Sequence, residues 1–264
     1  MRVIDFHVHA FPDQLAPKAI AQLCDTFNVK LHYDGTIGGL RERMAATGVS
    51  ASVVVPVATK PEQVRSINDW AACANSEDVI CFGAVHPDYE RIEKEIDRII
   101  TLGLKGIKIQ PDWQGCAVDD PKMMRTFGAA EGRLVVIVHA GQEIEPFPKV
   151  LSTPAAIRKV HDTFPYLTLI AAHMGGFRMW DEVREHLLGT EVYFDVSYCP
   201  PEDLADDDFR DMILTHGVDR ILFATDGPFG DAENDLARLQ GLGLPEDALA
   251  AILYRNADAL LGFS

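Results

Sequence analysis

Leu134-Val135-Val136-Ile137-Val138-His139 is an apolar run, mostly β-branched, that ends on a single imidazole. A run of this length and composition reads as a strand. Leu167-Thr168-Leu169-Ile170-Ala171-Ala172-His173 repeats the form one unit later. Working outward, similar runs occupy residues 3–9, 52–58, 79–86 and 106–111 on one side, and 192–197 and 220–226 on the other. With 134–139 and 168–173 they make eight.

Between the runs the apolar period lengthens to that of a helix. Residues 89–102 place Ile92, Ile96 and Ile99 on one face. Residues 154–164, 180–188 and 209–216 read the same way, and 245–261 as a closing helix. Strands alternating with helices imply a parallel sheet, and eight such units imply a closed (β/α)8 barrel, the TIM-barrel architecture, in one domain over residues 1–264. The 264 residues match the roughly 250 that such a barrel needs. A doubly wound open sheet is the alternative, but the sequence has neither GxGxxG nor a P-loop to support it. The first connection, residues 10–51, is longer than one crossover helix requires, so 25–38 is expected to make an excursion over the mouth.

Composition excludes several classes of function. A formal charge of −16 disfavours nucleic acid, which needs a basic stripe to displace counterions. No uncharged apolar run reaches the roughly 20 residues that span a bilayer. Five scattered cysteines without a CxxC pair read as a reduced, cytoplasmic protein. The first residues run straight into the segment with His7 and His9, unlike a signal peptide. The expected partner is a small-molecule substrate, with no nucleic acid and no membrane; a homo-oligomer is left open.

In Asp5-Phe6-His7-Val8-His9, the strand period of two puts Asp5, His7 and His9 on one side. Two imidazoles so placed can hold one divalent ion, with Asp5 beneath them as a hydrogen-bond acceptor. Taken alone, the motif equally suits two half-buried structural histidines. Further strands end on His139, His173 and Asp226, however, and catalytic groups of barrels come from the ends of different strands at one mouth. That convergence predicts a metal. A mixed histidine and carboxylate set suits zinc first, with manganese, iron or cobalt as alternatives.

The chain resembles the amidohydrolase superfamily, in the amidohydrolase-related group that also contains aminocarboxymuconate semialdehyde decarboxylase. The resemblance rests on Asp5-Phe6-His7-Val8-His9, Gly106-Ile107-Lys108-Ile109, Val138-His139-Ala140-Gly141, Ala172-His173-Met174-Gly175-Gly176, Phe223-Ala224-Thr225-Asp226-Gly227-Pro228 and Asn256-Ala257 with Leu260-Leu261-Gly262. It implies that His7, His9, His139 and Asp226 bind one metal. It gives His173 a catalytic role in decarboxylase-like members, or a second metal in binuclear members that carry a carboxylated lysine where Lys108 stands. Lys108 is read preferentially as a cation toward substrate or a neighbouring carboxylate. Relatives often have His-Pro where this chain has Gln110-Pro111, so no histidine role is assigned there.

The expected chemistry is hydrolysis of a lactone, amide or cyclic compound by hydroxide generated on the metal, since a bound divalent ion brings the pKa of water to about 7. Asp226 would take the water's proton and return it, and His173 would polarise a carbonyl or shuttle a proton. Non-oxidative loss of carbon dioxide from an aromatic or unsaturated acid is the alternative on the same residues. Lys60, Lys108 and Arg178 are the cations placed to hold a substrate carboxylate, and His86 and Trp113 are further candidates at the mouth. Cys199 lacks an identifiable histidine partner as a nucleophile. A phosphoesterase of the kind that also begins with HxH would show more histidines, and a non-catalytic metal protein would not need both Asp226 and His173.

Overall fold

The computed structural model describes residues 2–27, 30–144, 147 and 149–262. In chain order the strands are β1 (Ile4–Val8), β2 (Ala51–Val54), β3 (Val79–Cys81), β4 (Gly83–Ala84), β5 (Gly106–Ile109), β6 (Val135–Val138), β7 (Thr168–Ala171), β8 (Tyr193–Asp195) and β9 (Ile221–Leu222). Each of the eight expected runs contains a strand. The third is interrupted at Phe82 and supplies both β3 and β4. The chain divides into two compact units: Met1–Val54, Ser76–Ile80 and Asp195–Ser264 form one, and Val55–Asn75 with Cys81–Phe194 form the other.

In the first unit β1 pairs in parallel with β2, Ile4 opposite Ala51 and Asp5 opposite Ser52. The Ser52 N–H donates to the Asp78 carbonyl at 2.9 Å, continuing the ladder toward β3. On its other side β1 meets the β9 segment, where the Phe6 N–H donates to the Phe223 carbonyl at 2.9 Å. The Val196 N–H donates to Leu222, so the end of β8 lies along the far side of β9. The first connection holds two helices, Ala16–Phe27 and Ile37–Thr47. The expected excursion at 25–38 is therefore shorter than read: its start belongs to one helix and its end to the next, and residues 28–29 lie outside the described residues.

The closing stretch is helical, as its periodicity predicts, but it contains a π-helical turn, Ala251–Arg255, between Glu246–Ala250 and Asn256–Leu261. A π turn breaks the regular bonding pattern, and here the Ile252 carbonyl accepts from the Phe223 N–H at 3.0 Å. The Asn256 amide donates to the carbonyls of Val218 and Ile221, both at 2.7 Å. The closing helix thus fixes β9 and the residues that follow it.

In the second unit β4, β5, β6, β7 and β8 pair in parallel in chain order, with Lys108 opposite Ile137 and Ile109 opposite Val138. The helix Ile92–Thr101 buries Ile92, Ile96 and Ile99 completely, as the period requires. Pro121–Ala130 and Pro154–Thr163 begin on Asp120 and Thr153, whose side chains accept from the Lys122 and Ala156 N–H groups. Proline at the first helical position costs no hydrogen bond there. At the break between β3 and β4 a buried side chain takes over the pairing. Asn68 donates to the Ala84 carbonyl and accepts from its N–H at 2.7 Å, while also donating to Glu95. Among the described residues no helix is long and apolar enough to cross a membrane.

Candidate metal centre

His7 and His9 arrive at the end of β1, and Asp226 follows β9 four residues after its last strand residue. His9 Nε2 lies 2.9 Å from Asp226 Oδ1, and His7 Nε2 lies 3.3 Å from the same oxygen. The two rings are 5.2 Å apart between centroids. One ligand atom from each of the three residues falls within 4.8 Å of the others. An ion bound at about 2.0–2.2 Å in tetrahedral geometry separates its ligand atoms by roughly 3.3 Å, close to the 3.3 and 2.9 Å from Asp226 Oδ1 to the two imidazole nitrogens. The residues fit a divalent metal.

The local backbone explains the convergence. Asp226 adopts φ 62°, in the left-handed region, and its N–H donates to the His7 carbonyl at 2.8 Å. The His9 N–H donates to the Gly227 carbonyl, and the Tyr33 hydroxyl donates to the His9 carbonyl at 2.7 Å. Asp5 is buried beneath the histidines as the alternation predicts, but it accepts from the backbone N–H of His7 and Thr225 and from the Thr225 hydroxyl, not from an imidazole. Burial pushes its carboxyl up to about 7 against those bonds. The carboxylate on the Nδ1 side of His7 is Asp195, whose Oδ2 lies 3.0 Å from that nitrogen.

His139 and His173 belong to the second unit. His139 Nδ1 is 3.0 Å from His173 Nε2. His139 Nε2 is 3.2 Å from the Gln142 carbonyl and 3.4 Å from the Glu143 carboxylate. The Gln110 amide also donates to Glu143. Asp112, His139 and Glu143 form a second group of clustered donors, in which burial raises the Asp112 carboxyl. The loops that carry the two histidines are joined by backbone bonds: the Phe177 N–H donates to Ala140, and the Gln142 N–H to Phe177. Gly141, at φ 86°, makes that approach possible.

Lys108 is 1% exposed, so its amine is buried on β5. Lys60 and Arg178 are exposed, and the Arg178 guanidinium lies 4.7 Å over the Phe177 ring. His86 is buried and its Nδ1 accepts from the Asp88 N–H, which ties the ring to a turn. Trp113 sits in the short helix Pro111–Gln114 with its ring 4.9 Å from Phe147. Cys199 is buried, and desolvation lifts its thiol well above the ordinary range, unlike a reactive thiolate. The sequence reading missed Asp195, Ser197, Tyr33 and Glu143. The alternation Asp195-Val196-Ser197, of the same form as Asp5 to His9, was the available signal for the first two.

The strand pattern is that of a barrel with candidate metal donors following its strands, and comparison with solved structures shows the fold. The chain is similar over 100% of its length, at TM-score 0.74 and 18% identity, to 5-carboxyvanillate decarboxylase from Sphingomonas paucimobilis, 99% of which is covered. It is similar at TM-score 0.73 and 18% identity to a TIM-barrel protein from Bordetella bronchiseptica, with 99% of each chain covered. A candidate 2-pyrone-4,6-dicarboxylic acid hydrolase from Pseudomonas putida matches at TM-score 0.65 and 19% identity, with 100% of this chain and 98% of that one covered. The fold is the (β/α)8 barrel. No curated protein matches the sequence closely enough to count as a relative. The chain belongs to the amidohydrolase family, which it matches over residues 4–263, and it is an enzyme.

Proposed function

We propose that the chain is a single enzyme domain over residues 1–264, a metal-dependent hydrolase of a small carboxylate-bearing lactone, amide or cyclic compound, acting in the cytoplasm. The observation that carries this reading is one carboxylate oxygen, Asp226 Oδ1, facing Nε2 of both His7 and His9 at 3.3 and 2.9 Å. Zinc is the first choice for such a donor set. His139 is assigned to the same ion by the family resemblance alone. When bound, the ion supplies a Lewis acid that activates water and polarises a carbonyl.

The protein's own groups do the rest. His7 and His9 present ring nitrogens from a strand end, where the backbone leaves them little freedom. Asp226 takes a proton from the attacking water and returns it to the leaving oxygen or nitrogen. His173 polarises the substrate carbonyl or moves a proton, with its ring held against His139. Lys108, Lys60 and Arg178 are the proposed anchors for the substrate carboxylate, with His86 and Trp113 contributing to the pocket.

Decarboxylation is the second reading, favoured by the structural similarity to 5-carboxyvanillate decarboxylase. The similar hydrolase is also named for a ring carboxylic acid, so a ring carboxylate is common to both readings. The test is a screen of the zinc-loaded protein on lactones, amides and aromatic or unsaturated carboxylic acids, following the carboxylic acid product and carbon dioxide together. Acid release from a lactone or amide without carbon dioxide is the expected result. Carbon dioxide from an acid, with no activity on any lactone or amide, would replace hydrolysis with decarboxylation.

A further inference from the structure

We propose that Asp195 is a positioning residue of the metal centre: its carboxylate fixes the His7 ring so that Nε2 faces the ion, and it supports metal affinity through that ring. The inference rests on reading His7, His9 and Asp226 as metal ligands.

Asp195 and His7 are 188 positions apart, and the fold brings them together across one strand. Phe6 bonds to Phe223 and Val196 bonds to Leu222, so β1 and the end of β8 flank the β9 segment. The period of two then puts Asp195 and Ser197 on one face, while Phe194 and Val196 are buried on the other.

The carboxylate itself has no exposed surface. Its Oδ1 accepts from the Ser197 N–H at 3.1 Å and the Ser197 hydroxyl at 2.5 Å, which orients the group. Its Oδ2 faces His7 Nδ1 at 3.0 Å, and the Ser197 hydroxyl oxygen is 3.3 Å from the same nitrogen. With a metal at Nε2, on the side facing Asp226, the neutral ring carries its one proton on Nδ1, where the Asp195 carboxylate accepts it. A buried carboxylate is retained only where hydrogen bonds and opposite charge compensate it. A metal on the far side of the imidazole supplies that charge, and the carboxylate in turn makes the ring a better donor.

A residue that merely bridged strands would affect folding but not the ring. The test therefore reads zinc affinity by chelator competition, together with the His7 ring protons in the NMR spectrum of zinc-loaded, 15N-histidine-labelled protein. Wild type should bind one zinc that is lost in His7→Ala. Asp195→Ala should bind about 10–100-fold more weakly and lose the protected Nδ1 proton. Asp195→Asn keeps size and an acceptor, and should weaken binding by at least about threefold. If Asp195→Ala does not fold, Asp195→Asn decides the matter on the same threshold. Affinity within threefold of wild type, with the His7 ring proton unchanged, overturns the proposal. Failure of wild type to bind zinc, or its retention in His7→Ala, overturns the underlying metal reading instead.

Discussion

His9 Nε2 and Asp226 Oδ1 stand 2.9 Å apart, and the aspartate that makes this contact sits on a left-handed backbone with φ 62°. Conformation and chemistry therefore constrain position 226 separately. The left-handed region costs most residues roughly 1–2 kcal/mol and is tolerated best by glycine, asparagine and aspartate.

Asparagine is for that reason the clean replacement. Asp226→Asn should leave the metal-free stability near wild type while turnover on the substrate found by screening falls by at least about 10²–10⁴-fold, because an amide cannot take the proton. Asp226→Ala should lose the same activity and unfold about 1 kcal/mol more easily. Equal urea unfolding curves for the two metal-free variants would refute the backbone half of the argument.

His173, at φ 57°, is open to the same approach. His173→Asn should keep one equivalent of metal and lose turnover by about 10²–10⁴-fold, as expected for a group that moves protons. Elemental analysis of the purified variant distinguishes the roles. Loss of half of two bound metals would instead favour a binuclear centre, for which Lys108 would have to be carboxylated.

The strands of this fold were legible in the sequence because parallel strands in α/β folds are buried on both faces and read as unbroken apolar runs. The ligand candidates were legible because each closes an apolar run of the sequence, although in the structure His9 and His139 come one residue after their strands, His173 two and Asp226 four. Asp195 was not, because its role depends on which strands become neighbours around β9, and a linear pattern does not carry that information. Tyr33 and Glu143 lie in loops, where no period constrains them. The break at Phe82 was hidden for a different reason. It is compensated by Asn68, a side chain on a helix fourteen positions earlier, through bonds that no hydrophobic pattern encodes.

Gly141 offers a test of how the two histidine loops are held. A Cβ there would come within 2.2 Å of the Phe177 nitrogen and 2.4 Å of its carbonyl oxygen, on a backbone at φ 86°. Gly48 has a similar φ of 75° but open space around it. Gly48→Ala should therefore cost only the left-handed strain, about 1–2 kcal/mol. Gly141→Ala should cost about 1–3 kcal/mol more, because Phe177 must move. Denaturation of the two variants side by side checks this, and equal losses would show that the loops are not in close contact.

Asp235 makes stability depend on pH. Desolvation, followed by the negative charges of Asp5 and Asp231, lifts its carboxyl to about 8; Arg238 opposes the shift and Asp226 adds to it. Its Oδ2 is buried without a hydrogen-bond partner among the described residues. Since the folded pKa lies above the ordinary value of 3.8, the folded state holds a proton that the unfolded chain releases between those two values. Stability is therefore fully present below the lower value and falls as pH rises toward the upper one. With about 1.4 kcal/mol per pKa unit, the loss across the window is on the order of a few kcal/mol. Asp5, lifted to about 7, contributes with the same sign, so the effect will not vanish when Asp235 is removed alone. Metal-free wild type should unfold at markedly lower urea at about pH 8 than at about pH 5, and Asp235→Asn should show a smaller difference. An unchanged pH dependence in Asp235→Asn would mean that the carboxyl is already ionised in the folded protein, and that Arg238 outweighs its burial.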